Sequence, residues 1–128
     1  MIFAVCMFRT FVIRDYKGRK TTGKYEIAQA SAILIDEKRL ETFEQDGSNR
    51  EVPIHFYFPN NINDLREKSL PLVIFSHGAF GYYQSNTSTY MELASHGYVV
   101  VSLDHPYHSF FTKDTAGKTI TVDLCLFP

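Results

Sequence analysis

Alternating and uninterrupted apolar positions divide the chain into a few clear elements. Val52, Ile54, Phe56 and Phe58 alternate with Glu51, Pro53, His55 and Tyr57. This period of two is the signature of a strand with one face more buried than the other. Pro53 donates no ladder hydrogen bond, so it belongs at a sheet edge or a strand start. His55 falls on the more polar face and reads as structural. Upstream, residues 26–35 are apolar and small, with Ile27, Ile33 and Ile35 on one face of a second strand. The two strands are expected to pair antiparallel. Between them residues 36–49 are polar and hold Asp46-Gly47, a strong turn signal.

Pro71 to Phe75 is different in kind: an unbroken apolar, β-branched run, as in a strand buried on both faces. It leads into Ser76-His77-Gly78 and then Gly81, where glycines free the backbone for close approach to a ligand. A helix is expected from a cap at Asn86 or Ser85 to about His96, with Tyr90, Leu93 and Ala94 inward. Gly97 supplies its left-handed stop. Tyr98 to Leu103 is a second continuous apolar strand. Strand, helix and strand in this order predict a right-handed parallel crossover. The fold class is α/β. Thr119 to Val122 could begin a further short strand.

Residues 1–25 read as an amino-terminal extension and connector. Met1 to Phe8 is apolar but too short to span a bilayer, and Arg9 follows it rather than preceding it as in a signal peptide. Residues 14–24 are rich in basic side chains and read as an exposed connector. Residues 26–128 form the α/β domain. At 128 residues the chain suits a single core, and a formal net charge of −1 gives no reason to propose nucleic acid as a partner. Eleven Phe and eight Tyr could fill a core or line an acyl pocket. Cys6 and Cys125 read as buried thiols rather than a disulfide or metal ligands.

The chemistry gathers at the strand ends. Loops beyond the carboxyl ends of α/β strands bind ligands. A strand running into His77-Gly78 also suits an oxyanion hole, in which a backbone N–H faces developing negative charge. His77, Asp104, His105 and His108 invite a metal reading. Against it, Pro106 disfavours a helix across His105-x-x-His108, and no spacing matches a known ligand set. No Gly-x-Ser-x-Gly elbow, Walker or dinucleotide glycine pattern occurs. Ser76 and Ser102 therefore read as structural, and no cofactor or metal is expected.

Phe75-Ser-His-Gly-Ala-Phe-Gly81, followed by Leu93-Ala-Ser-His-Gly-Tyr-Val-Val-Val-Ser-Leu-Asp-His-Pro106, resembles the α/β-hydrolase superfamily. The similarity points to its platelet-activating-factor acetylhydrolase-like and dienelactone-hydrolase-like esterases. Thr22-Gly-Lys-Tyr25, the Asp36-x-x-Arg39 turn and Arg50 to Pro59 resemble the opening hairpin of that branch. The resemblance implies a serine hydrolase of carboxylic esters, acyl or acetyl, of phospholipid or other lipid type. It implies Ala79 as oxyanion-hole donor, with Phe80 the alternative. His77 and Gly78 would shape the loop, with Asp104 and His105 on the pocket rim. The nucleophile, acid and base of such enzymes lie further along, so the chain is expected to carry the amino-terminal half only and to be inactive alone. Pro71 to Phe75 would then be an open apolar edge, favouring self-association. The alternative is a non-catalytic module that associates through that edge. Membrane association would require residues upstream of Met1, and cytoplasmic and membrane-associated locations both stay open.

Overall fold

The computed structural model describes residues 9–12, 19–60 and 70–126. The readings made on Met1 to Phe8, on Cys6, on most of the basic connector and on the polar loop at 61–69 lie outside the described residues. A five-stranded mixed sheet has the order β1-β2-β3-β5-β4. Its strands are β1 (Arg9–Val12), β2 (Glu26–Leu40), β3 (Asn49–Asn60), β4 (Leu72–Ser76) and β5 (Val99–Leu103). Helix α1 (Thr87–Ser95) connects β4 to β5. A separate antiparallel ribbon pairs β6 (Phe111–Lys113) with β7 (Thr119–Thr121), and a 3-10 turn follows at Leu124–Leu126.

The expected antiparallel hairpin is β2 with β3, in register from Glu26↔Asn60 to Asp36↔Arg50. The polar stretch after Asp36 does not end β2 as the sequence suggested. The strand resumes at Leu40↔Asn49 after an irregularity, with Asp36 and Arg39 in an ion pair at 3.4 Å. Extra residues on one strand are absorbed as a bulge rather than breaking the pairing. Gly47, with φ 76, makes the turn. The parallel crossover is also present: Leu72↔Val99 through Ser76↔Leu103. β1, which the apolar pattern did not mark, pairs antiparallel with β2.

Which face of β3 is covered differs from the reading of its alternation. The face bearing His55 and Tyr57 carries α1, and Tyr57 packs with Tyr90, Met91, Ala94 and Val100 in the core. A buried tyrosine places a large apolar ring inward while its hydroxyl finds a partner, so its polarity in sequence misleads. Ile54 on the opposite face is also buried. Leu72 and Ile74 on β4 share that opposite face and are 58% and 64% exposed.

α1 ends as its sequence predicts. Gly97 takes φ 99, its N–H donates to Ala94 O at 3.0 Å, and the Tyr98 N–H donates to Leu93 O at 3.2 Å. Those two bonds are the Schellman pattern that satisfies orphan carbonyls. Its start departs from expectation, because Asn86 holds the cap position without a side-chain cap bond. The segment before β2 is pinned to the helix by Gly23 N–H on Ser95 Oγ at 3.1 Å and Tyr25 N–H on Ser95 O at 3.1 Å.

Candidate active site

Three strand ends meet at one end of the sheet: the carboxyl ends of β4 and β5, and the start of β3. Asp104 N–H donates to Pro53 O at 2.9 Å, which fixes the third of these against the second. The loop after β4 and the turn after β5 are then joined by backbone bonds. Phe80 N–H donates to His108 O at 3.2 Å, and Phe110 N–H donates to Gly81 O at 3.0 Å. Between them lies a cavity of about 320 Å³ lined by Arg50, His77, Gly78, Ala79, His105 and His108. Four of the six residues named from sequence as site candidates are thus together: His77, Gly78, Ala79 and His105.

The other two are placed elsewhere. Asp104 is 1% exposed and does not line the cavity, so the rim position expected from the resemblance is not where it sits. It lies beneath, accepting from Tyr83 N–H at 2.6 Å and Thr112 Oγ1–H at 2.9 Å. Its Oδ2 is 3.7 Å from His55 Nε2, and His55 stacks on Tyr83 with ring centroids 3.6 Å apart. A buried carboxylate needs such partners, and here they tie β3, β5 and β6 to the loop after β4. Phe80 projects outward, half exposed, and is not a lining residue.

The two candidate amides differ sharply. Phe80 N–H is engaged by His108 O. Ala79 N–H has no protein acceptor among the described residues. The backbone of the loop also departs from expectation: the left-handed residue is Phe80, with φ 63, and not a glycine. A bulky residue there carries strain and is held by the two inter-loop bonds. Gly81 serves close packing instead, since a Cβ would lie 2.8 Å from His77 Cβ and 3.0 Å from Gly78 O. At Gly78 a Cβ would meet nothing within 4 Å.

His77 is nearly buried and fully engaged. Its Nδ1 is 2.7 Å from Gly78 O, and its Nε2 is 2.8 Å from Ser109 Oγ and 3.1 Å from His105 N. His105 Nε2 lies 2.7 Å from Ser76 Oγ. Burial, followed by the nearby His77, His108 and Arg50, pushes the His105 pKa below the usual imidazole value, with Asp104 opposing. His105 is therefore a neutral imidazole at neutral pH. Arg50 is held by Glu41, with Nη1 to Oε1 at 2.8 Å and to Oε2 at 2.9 Å. Arg50 and Ser109 were missed as site residues in the sequence, and His108 was weighed there only as a metal ligand. Only the register of β3 and the turn at 105–109 bring them here.

Ser102 is buried in β5 and donates to Tyr83 O at 3.1 Å, a structural bond. Cys125 is exposed rather than buried and free. Among the described residues no three His, Cys, Asp or Glu side chains converge as a metal site would require. A second hollow of about 310 Å³ includes Glu41, Glu44, Glu51 and Lys118. Its carboxylates are already bound: Glu41 by Arg50, Glu44 by Lys118 and Tyr107, Glu51 by Thr115.

A ferulic acid esterase from Streptomyces cinnamoneus has a similar structure, with a TM-score of 0.70 over 83% of this chain at 18% identity. The chain spans 41% of that enzyme's length. The sheet, with its antiparallel hairpin followed by a parallel crossover, is that of an α/β-hydrolase. The family model of platelet-activating factor acetylhydrolase, isoform II, matches residues 57–120, half of the 128 residues, from Tyr57 in the core through the His77 loop to the β6–β7 ribbon. The chain therefore belongs to the platelet-activating factor acetylhydrolase, isoform II, family.

Proposed function

We propose that this chain carries the oxyanion-binding part of a serine hydrolase acting on carboxylic esters, acyl or acetyl, including lipid esters. The observation that carries the reading is the unengaged Ala79 N–H on the wall of the cavity beyond β4. When a nucleophile attacks an ester carbonyl, negative charge develops on its oxygen. A fixed N–H in a partly dry cleft stabilises that charge without reorganising. His77, Gly78 and His105 shape the cavity around the acyl group, and Arg50 and His108 complete its lining. The nucleophile, acid and base of the reaction come from outside these residues, so the chain alone is inactive. No cofactor takes part. The test is Ala79→Pro, which deletes the N–H, in a complete enzyme carrying this segment. A fall in kcat of roughly 10²–10³-fold is expected; an unchanged kcat would overturn the assignment.

A second reading is favoured by one observation. β4 is the edge strand of the sheet, with Leu72 and Ile74 more than half exposed. An apolar edge offers unpaired backbone groups to another chain. In this reading the domain is a non-catalytic module that associates with a second copy through β4. A monomer in solution at all accessible concentrations would remove it.

A further inference from the structure

We infer that His77 is a positioning residue that aims the Ala79 amide, and that Gly78 O on one ring nitrogen and His105 N–H on the other fix the tautomer in which it does so. This rests on the proposed role of Ala79 and deepens it. The argument starts from hydrogen-bond bookkeeping. Gly78 O can only accept, so the hydrogen between it and His77 Nδ1, 2.7 Å away, belongs to the imidazole. A neutral imidazole with Nδ1–H presents a lone pair at Nε2. What faces that lone pair is a backbone donor, His105 N–H at 3.1 Å, and the Ser109 hydroxyl at 2.8 Å.

Ser109 completes the set. It is fully buried, accepts from His105 N–H at 3.0 Å and lies 2.9 Å from His105 O, to which it can also donate. With the hydrogen on Nδ1 each group at this point has a compatible partner. With it on Nε2, two N–H groups would face each other at 3.1 Å, and Gly78 O would lose its bond to the ring. Buried polar clusters of this kind hold one arrangement, because the alternative leaves a donor or acceptor unmet.

The consequence for Ala79 is geometric. The Gly78–Ala79 peptide is trans, so its C=O and N–H lie on opposite edges of one plane. Gly78 O is held on the inner side by His77 Nδ1–H and by Gly81 N–H at 3.0 Å. Ala79 N–H is thereby turned the other way, to the side where none of the described residues accepts it. Gly81 is close enough to His77 that the ring and the turn cannot separate without moving both. The turn after β5, carrying Ser109, thus reaches the amide through one imidazole.

The experiment is NMR on the full chain at neutral pH, with acetate as the probe because its carboxylate resembles an oxyanion. Long-range ¹H–¹⁵N spectra of His77 should show the hydrogen on Nδ1, and a ring hydrogen on Nε2 would overturn the inference. Acetate should shift the Ala79 amide proton. His77→Asn keeps a donor where Nδ1 was, and should preserve that shift. His77→Gln moves the donor outward, and should lose it. Ser109→Ala leaves Gly78 O and His105 N–H in place, and should keep both the tautomer and the shift. An unchanged Ala79 response in His77→Gln would overturn the positioning role. Should His77→Gln fail to fold, the wild-type tautomer and His77→Asn still decide the matter, since loss of the shift in His77→Asn would overturn the positioning role. If His77 carries its hydrogen on Nδ1 and His77→Gln displaces the Ala79 amide resonance of the free chain while His77→Asn does not, but acetate never moves Ala79 in the wild type, positioning stands and the oxyanion reading falls.

Discussion

Ser76 and His105 meet across the ends of β4 and β5, hydroxyl oxygen to Nε2 at 2.7 Å. That is the spacing of a nucleophile and its base. Yet no carboxylate orients the far side of the His105 ring among the described residues, and no strand-to-helix elbow presents Ser76. The pair is a bridge between parallel strands. The chain treated with a fluorophosphonate probe should therefore show no mass increase. A stoichiometric adduct on Ser76 would make this pair a nucleophilic centre and sink the structural assignment.

The same imidazole makes stability depend on acid. The folded-state pKa of His105 lies below its ordinary value of 6.5, so the unfolded chain binds a proton more readily. Stability is then fully present above about pH 6.5 and declines as pH falls through the lowered folded value. Urea midpoints measured from pH 7.5 to 5 should fall, and His105→Gln should flatten that part of the profile. At the alkaline end Tyr57 acts with the opposite sign. Burial raises it to about 12, so stability holds up to about pH 10 and is lost as pH climbs through 12.

Gly23→Ala tests how the segment before β2 is fastened. A Cβ there would lie 2.1 Å from Ser95 O, a backbone atom that cannot swing aside. The clash should cost on the order of 1–3 kcal/mol, the usual range for overpacking. A urea midpoint equal to wild type would show that the strap is not seated against α1.

Ile74→Lys addresses the sheet edge. Ile74 is 64% exposed, so a lysine there costs little in the fold while placing charge on the edge strand. Size-exclusion chromatography should show a shift toward monomer with an unchanged far-UV spectrum. An oligomer of unchanged size would remove β4 as the contact.

The crossover was legible because two continuous apolar runs flank one helix with a glycine stop, a pattern few other arrangements satisfy. The hairpin was legible from alternation, but not which side of it is covered. Tyr57 looked polar, while the small Ala28 and Ala30 gave no sign that they would be buried on the opposite face. At the site, His77 and Gly78 stood out because they follow a strand end directly, whereas Ala79 and the rim role of His105 came from the resemblance to the esterase family. Arg50 did not, since only the β2–β3 and β3–β5 registers carry it across. Asp104 misled for a related reason. The resemblance put it on the pocket rim, but its fate depends on Tyr83 and Thr112, neither of them adjacent in sequence.

The strand order also sets a sequence of events during synthesis. Among the described residues β4 pairs with the sheet only through β5, which is made after it. At a translation rate of about 5–20 residues per second, β4 leaves the ribosome roughly one to five seconds before its partner is complete. For that interval Leu72 to Phe75 is an orphaned greasy segment, and a chaperone that shields extended apolar peptides has its natural substrate there.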